Sequence, residues 1–194
     1  MSKVVDLHSP PLRRTQILPH GVMGMLIFIV AETMMFAGLI SAFLIVKGAA
    51  SIWPPPGQPR LPIEQTALNT TALLLSAVLL WYANKLFKER GPAHARGPLF
   101  AAMALGTFFV CFQGYEWAQL ISQGLTMTSS TLGSFFYLIV GMHALHAIAA
   151  LFALGRSVLL LQRGRLVHGS FAAAQVFWYF VVGIWPVLYL QVYL

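Results

Sequence analysis

GVMGMLIFIVAETMMFAGLISAFLIV, Gly21 to Val46, carries a single charged residue, Glu32. The stretch exceeds the ~20 residues that an α-helix needs to cross the ~30 Å hydrocarbon core of a bilayer, so it reads as a transmembrane helix with an acid near its middle. Four further apolar runs follow, at about 65–84, 98–122, 132–155 and 170–194. Of the 194 residues, 58% are hydrophobic and only 9% are charged, where a soluble domain has about 25% charged residues. The connections are too short to hold a folded soluble domain. The expected fold class is therefore all-α: a polytopic membrane bundle of five helices over residues 20–194, preceded by a tail over 1–19. The first run is too long for a signal-peptide core and no small-residue cleavage site follows it, so it is expected to be retained.

The formal charge of +7 is a matter of topology, not of nucleic-acid binding. Lys3, Arg13 and Arg14 lie in the tail, Lys85, Lys88, Arg90 and Arg96 in the second connection, and Arg156, Arg163 and Arg165 in the fourth. The alternate connections hold only Lys47 and Arg60. Basic residues concentrate on the cytoplasmic side of membrane proteins. The N-terminus is accordingly expected inside and the C-terminus outside, which agrees with an odd number of spans. The single cysteine, Cys111, can form no internal disulfide.

The span ends carry local signals. Gly97-Pro98 is expected to open the third helix, with Pro in a tolerated first-turn position. Thr128, Ser129 and Ser130 can cap the fourth. WPPPGQPRLP, Trp53 to Pro62, predicts a stiff outer loop, and Pro186 predicts a kink in the last span.

Polar groups inside the spans hold the functional information. Glu32 lies about 16 Å into the first span at ~1.5 Å per residue. His143 and His146 share a helical face at similar depth in the fourth span, and Tyr179 falls at that level in the fifth. Isolated ions there are costly, so these four are expected to face the bundle interior and find partners. Two readings stay open: a structural cluster pinning three helices together, or a network coupled to proton movement or conformation. Glu116, on one face with Gln113 in QGYEW, lies near the outer end of the third span. It is expected to stay solvated and to serve structure or a subunit contact. Trp117, Trp178, Tyr189 and Tyr193 fit packing or interfacial positions, and Gly38, Gly106 and Gly141 allow close helix approach.

No metal or haem site is expected. Two histidines at i, i+3 lack the further carboxylates of a di-metal bundle, and His20, His94 and His168 fall at or beyond the cytoplasmic ends. No nucleotide loop, nucleophilic triad or cysteine cluster is present. The chain is read as non-catalytic by itself.

The motifs, taken in order, resemble haem-copper oxidase (cytochrome c oxidase) subunit III. LIFIVAETMMFAGLISAF is similar to that family's acid-bearing helix. WPPPG and ALNT resemble its outer loop and next helix, and QGYEW its glutamine–glutamate signature. GSFFYLIVGMHALHAI has its Gly-x-His-x-x-His spacing, and FWYFVVGIW resembles its last helix. The likeness runs from about Gly21 to the C-terminus. It implies an accessory, cofactor-free subunit of a respiratory terminal oxidase that reduces oxygen to water and pumps protons. Such a subunit stabilises the catalytic subunit I and its proton-uptake route, and it retains phospholipid; haem and copper belong to partner subunits. The family's buried acid corresponds to Glu32, its paired histidines to His143 and His146, and its motif residues to Gln113, Glu116 and Trp178. Arg156, Arg163 and Arg165 are candidates for lipid headgroups. The implied location is a bacterial inner membrane.

Two departures qualify the likeness. Longer members have two additional N-terminal helices forming one wall of a lipid cleft, and this chain aligns from the third helix, as compact bacterial members do. The family's last helix reads Tyr-Trp-His-Phe-x-Asp, where this chain has Tyr179 for the His and Val182 for the Asp. Alternative readings are a component of a quinol-oxidase or nitric-oxide-reductase-associated complex, or an independent proton or solute carrier. Against the carrier stand the single mid-membrane acid and the lack of an inverted repeat.

Overall fold

The computed structural model describes residues 20–194. The charges at Lys3, Arg13 and Arg14 lie outside that range. Five helices follow in order: α1 (His20–Ala49), α2 (Ile63–Arg90), α3 (Pro92–Ser122), α4 (Thr131–Gln162) and α5 (His168–Leu188), closed by a π-helical turn at Tyr189–Tyr193. All five are long and apolar enough to cross a membrane.

The helices outrun the apolar stretches that announce them. α2 continues through Lys85 and Lys88 to Arg90, and α4 continues past Arg156 to Gln162. An apolar run reports the thickness of the hydrocarbon, whereas backbone hydrogen bonding carries a helix on into the headgroup layer, where Lys and Arg keep their charges wet. The third helix differs from expectation for a related reason. It opens at Pro92, and Pro98 sits inside it. Gly91 alone separates α2 from α3, at φ 86° and ψ 174°, a region open essentially only to glycine. Pro92 then supplies a pre-set first helical residue. At the start of α4 the cap is Ser130, whose Oγ accepts from the Gly133 amide at 3.0 Å. Pro186 lacks the N–H that would reach back one turn, and the helix passes into π geometry three residues later.

α5 is the pillar of the bundle and touches α1, α2 and α4. A ladder of four side-chain hydrogen bonds joins it and the π turn to α2. Tyr189 Oη donates to the Ile63 carbonyl at 3.1 Å, Trp185 Nε1 to Thr70 Oγ1 at 2.9 Å, Trp178 Nε1 to Ser76 Oγ at 3.0 Å, and Gln175 Nε2 to the Leu80 carbonyl at 3.3 Å. The numbers fall on one strip as they rise on the other, so the two helices run antiparallel. α3 closes over the Trp178 indole at Gly106. A methyl group built there would stand 2.5 Å from the ring, so the backbone approach needs glycine. Gly38 has nothing within 4 Å of such a methyl and serves no close approach. Outside, Ile27, Met34, Ile45 and Phe152 are exposed, as lipid-facing or subunit-facing residues are.

Candidate functional site: two acids in the bundle

Glu32 on α1 and His146 on α4 form the mid-bundle pair. Glu32 Oε2 stands 3.0 Å from His146 Nε2, with side chains 17% and 9% exposed. The contact is at ion-pair distance without hydrogen-bond alignment, and Oε2 has no other polar partner. His146 Nδ1 lies 2.7 Å from the Met142 carbonyl. A carbonyl only accepts, so Nδ1 carries a hydrogen and Nε2 is the nitrogen that faces the Glu32 carboxyl. Phe36, Phe28, Phe177 and Phe180 surround the imidazole at centroid distances of 5.7, 6.1, 6.2 and 6.4 Å. These rings keep water away and raise the strength of whatever interaction the pair makes.

His143 and Tyr179 do not join that contact. His143 is 1% exposed and lies against Trp185, ring centroids 4.8 Å apart, with Phe109 at 6.2 Å. Neither of its nitrogens has a hydrogen-bond partner among the described residues, and the same holds for Tyr179 Oη. Val182, at the family's aspartate position, is part of the apolar core.

Glu116 forms a second cell, and here the expectation of a solvated interfacial carboxylate is corrected: its exposure is 0%. Thr66 Oγ1 lies 3.2 and 3.1 Å from its two oxygens, and Gln113 Nε2 donates to Oε2 at 2.9 Å. The same Gln113 amide reaches Tyr193 Oη at 3.2 Å. Thr66 has one hydroxyl hydrogen, and the Pro62 carbonyl is nearer to it, at 2.8 Å. Donating there leaves Thr66 as an acceptor, an arrangement satisfied by a carboxyl that carries its own proton. Burial follows because the start of α2 and the π turn fold over the C-terminal end of α3. Thr66 and Tyr193 were missed in the sequence because nothing in their local spacing points to Glu116.

Trp178 serves the α2–α5 ladder and the core. Arg156 lines an α3–α4 groove of about 690 Å³ with Met103, Thr107 and Phe152, and Arg163 and Arg165 are exposed at the same end. Among the described residues no group of three His, Cys, Asp or Glu side chains gathers as a metal site.

A family model described as cytochrome c oxidase subunit III matches residues 13–194. The chain is 31% identical over 176 residues to cytochrome c oxidase subunit 3 of Synechocystis sp., covering 88% of this chain and 74% of the relative. It is 30% identical over 177 residues to that of Thermostichus vulcanus, covering 89% and 86%. With that of Dasypus novemcinctus it shares 33% over 184 residues, covering 88% and 67%.

Proposed function

The chain belongs to the cytochrome c oxidase subunit III family, an accessory subunit of the haem-copper oxidase, and from that premise we propose how its bundle serves the complex. It is a multi-pass membrane protein, seated in a bacterial inner membrane with its N-terminus inside. It packs on the catalytic subunit I and holds no redox cofactor; haem and copper reside in the partner subunits. Its contribution is to keep the catalytic subunit's proton-uptake route working during sustained turnover. The observation that carries this reading is the Glu32–His146 pair, an acid and an imidazole 3.0 Å apart inside the bundle. Exposed apolar side chains on α1, among them Leu26, Ile27, Val30 and Ile45, already suit that helix to lipid.

The lipid reading rests on the α3–α4 groove. Its floor is apolar, and Arg156 stands at its cytoplasmic end. An acyl chain fits along such a floor with an anionic headgroup at the arginine, each basic residue near the surface contributing about 1 kcal/mol.

Purification in mild detergent tests the assembly. Co-elution with a haem-bearing subunit is expected; a colourless, monodisperse protein would remove the basis for the whole reading. Glu32→Gln in the assembled complex tests the role. It is expected to keep the initial rate of oxygen reduction and to shorten the number of turnovers before inactivation. An unchanged turnover lifetime would reduce the pair to structure.

A further inference from the structure

The end of the bundle where α1 stops and α2 begins holds a cavity of about 300 Å³. Its lining includes Lys47, Trp53, Arg60, Leu61, Leu132 and Tyr193, so α1, the first connection, α4 and the π turn all contribute. Lys47 and Arg60 are the only basic residues that the sequence places at this end, and both line the one cavity. Among the described residues neither makes an ion pair, not even Arg60 with Glu64 four positions on. Lys47 has a local reason for its place, since a cation in the last turn of α1 offsets the helix dipole. That reason does not extend to Arg60, which comes to the same cavity from the connection. Nor does topology, because the positive-inside bias works against basic residues at the opposite end.

We infer that this cavity binds the phosphodiester headgroup of an anionic membrane phospholipid, with Lys47 and Arg60 as its cationic partners. The guanidinium presents a planar fork of N–H donors that matches two phosphate oxygens, and the ammonium adds a compact charge. The wall is stiff. Trp53 packs edge-to-face on Phe43 with ring centroids 5.6 Å apart, and Pro54 and Pro59 restrict the backbone. Lys47 Nζ lies 5.8 Å from the Phe43 centroid, which tethers the ammonium beside that wall. Little ordering is left for a ligand to impose. The volume is at the lower end of the ~300–1,000 Å³ range of ligand pockets, which suits a headgroup without its acyl chains. Ile63 and Leu194 also line the cavity and are exposed, so apolar surface continues from its rim for those chains. A water-soluble anion has no use for that surface.

The consequence is a clamp on the C-terminal turn. Tyr193 belongs both to this cavity and to the Glu116 cell, because Gln113 Nε2 reaches its Oη at 3.2 Å. A headgroup held by Lys47 and Arg60 thereby fastens α1 and the first connection to the π turn that closes over Glu116. The site is separate from the α3–α4 groove, where Arg156 lies at the other end of the bundle. The inference concerns the bundle itself and stands whatever role the assembled oxidase gives it.

The test is native mass spectrometry of the full chain, in the complex with which it purifies, delipidated and then titrated with phosphatidylglycerol. Lys47→Gln combined with Arg60→Gln is expected to weaken one binding step on the order of 30-fold, from about fivefold for each basic residue. Lys47→Arg with Arg60→Lys keeps both charges and is expected to retain most of that step. Arg156→Gln, in the other groove, is expected to leave it unchanged. Identical titrations for the wild type and the glutamine pair would overturn the inference. So would displacement of the lipid by inorganic phosphate at comparable concentration, which would make the cavity a site for soluble anions. Should the variants fail to assemble, a density map of the wild-type complex decides. A lipid phosphate about 3 Å from a nitrogen of Arg60 or Lys47 supports the inference. A partner carboxylate in its place, or no phosphate at either residue, overturns it.

Discussion

Glu32 and His146, from the first and fourth helices, meet at 3.0 Å inside a ring of phenylalanines. The contact joins α1, the least buried helix, to the centre of the bundle. α1 otherwise holds on through apolar contacts with α5 and α4. The Met142 carbonyl holds the imidazole by Nδ1 and leaves Nε2 turned to the carboxyl.

Energetic coupling between these two residues is therefore expected. Glu32→Gln and His146→Gln should each lower the temperature at which the chain leaves the complex. The double variant should fall short of their sum, by an interaction energy of about 0.5–3 kcal/mol. Strictly additive effects in the double-mutant cycle would mean that the contact contributes nothing of its own.

Glu116 behaves differently because it is fully enclosed. Glu116→Gln retains a donor for Thr66 and an acceptor for Gln113, and is expected to be close to wild type in stability. Glu116→Leu leaves one Gln113 N–H without its carboxyl partner and is expected to cost about 1–3 kcal/mol. The comparison, by thermal release of the subunit, also reports the proton: if the glutamine variant is as damaging as the leucine variant, the carboxyl is ionised in the native bundle.

How much of this was legible in the sequence depends on the range of the signal. Each span announced itself through a mostly apolar run, and Glu32 was conspicuous as the only charge in the first of them. The His143–His146 spacing marked a polar face, yet spacing alone could not say which imidazole meets the acid. That depends on the rotation of α4 against α1, which is set by Phe36, Phe177 and Phe180 on distant segments. Glu116 was misread for the same reason. Its depth suggested solvent, and only the fold brings Thr66 and Tyr193 over it. The α2–α5 ladder was invisible, since Thr70, Ser76 and Gln175 look like ordinary polar residues until the helices are side by side.

Glycine positions that look alike in sequence separate sharply by their surroundings. Gly106→Ala forces a methyl against the Trp178 indole and is expected to destabilise the bundle by about 1–3 kcal/mol. Gly38→Ala meets open space and is expected to be neutral or stabilising by up to about 1 kcal/mol, through the better helix propensity of alanine. Adding Trp178→Phe to Gly106→Ala should recover part of the loss by shrinking the ring, though it also removes the bond to Ser76. Equal effects at the two glycines would contradict the packing described for α3 on α5.

The last prediction concerns the end of the bundle where Arg156, Arg163 and Arg165 lie exposed. Ten of the twelve Lys and Arg residues belong to the side assigned to the cytoplasm. A cysteine introduced at Lys88 is therefore expected to react with an impermeant thiol reagent only when the cytoplasmic face is open. One introduced at Gln58, in the connection between α1 and α2, should react from the other side. Cys111 is exposed on α3 and must first be replaced by serine to leave a clean background. With orientation established, replacing the three arginines by glutamine separates their roles. Loss of co-purifying anionic phospholipid with unchanged labelling identifies them as lipid-binding groups. Inverted labelling identifies them as topology signals. If orientation, lipid content and retention of the catalytic subunit all persist, the arginines do neither, and the α3–α4 groove is lined by Arg156 without being read by a headgroup.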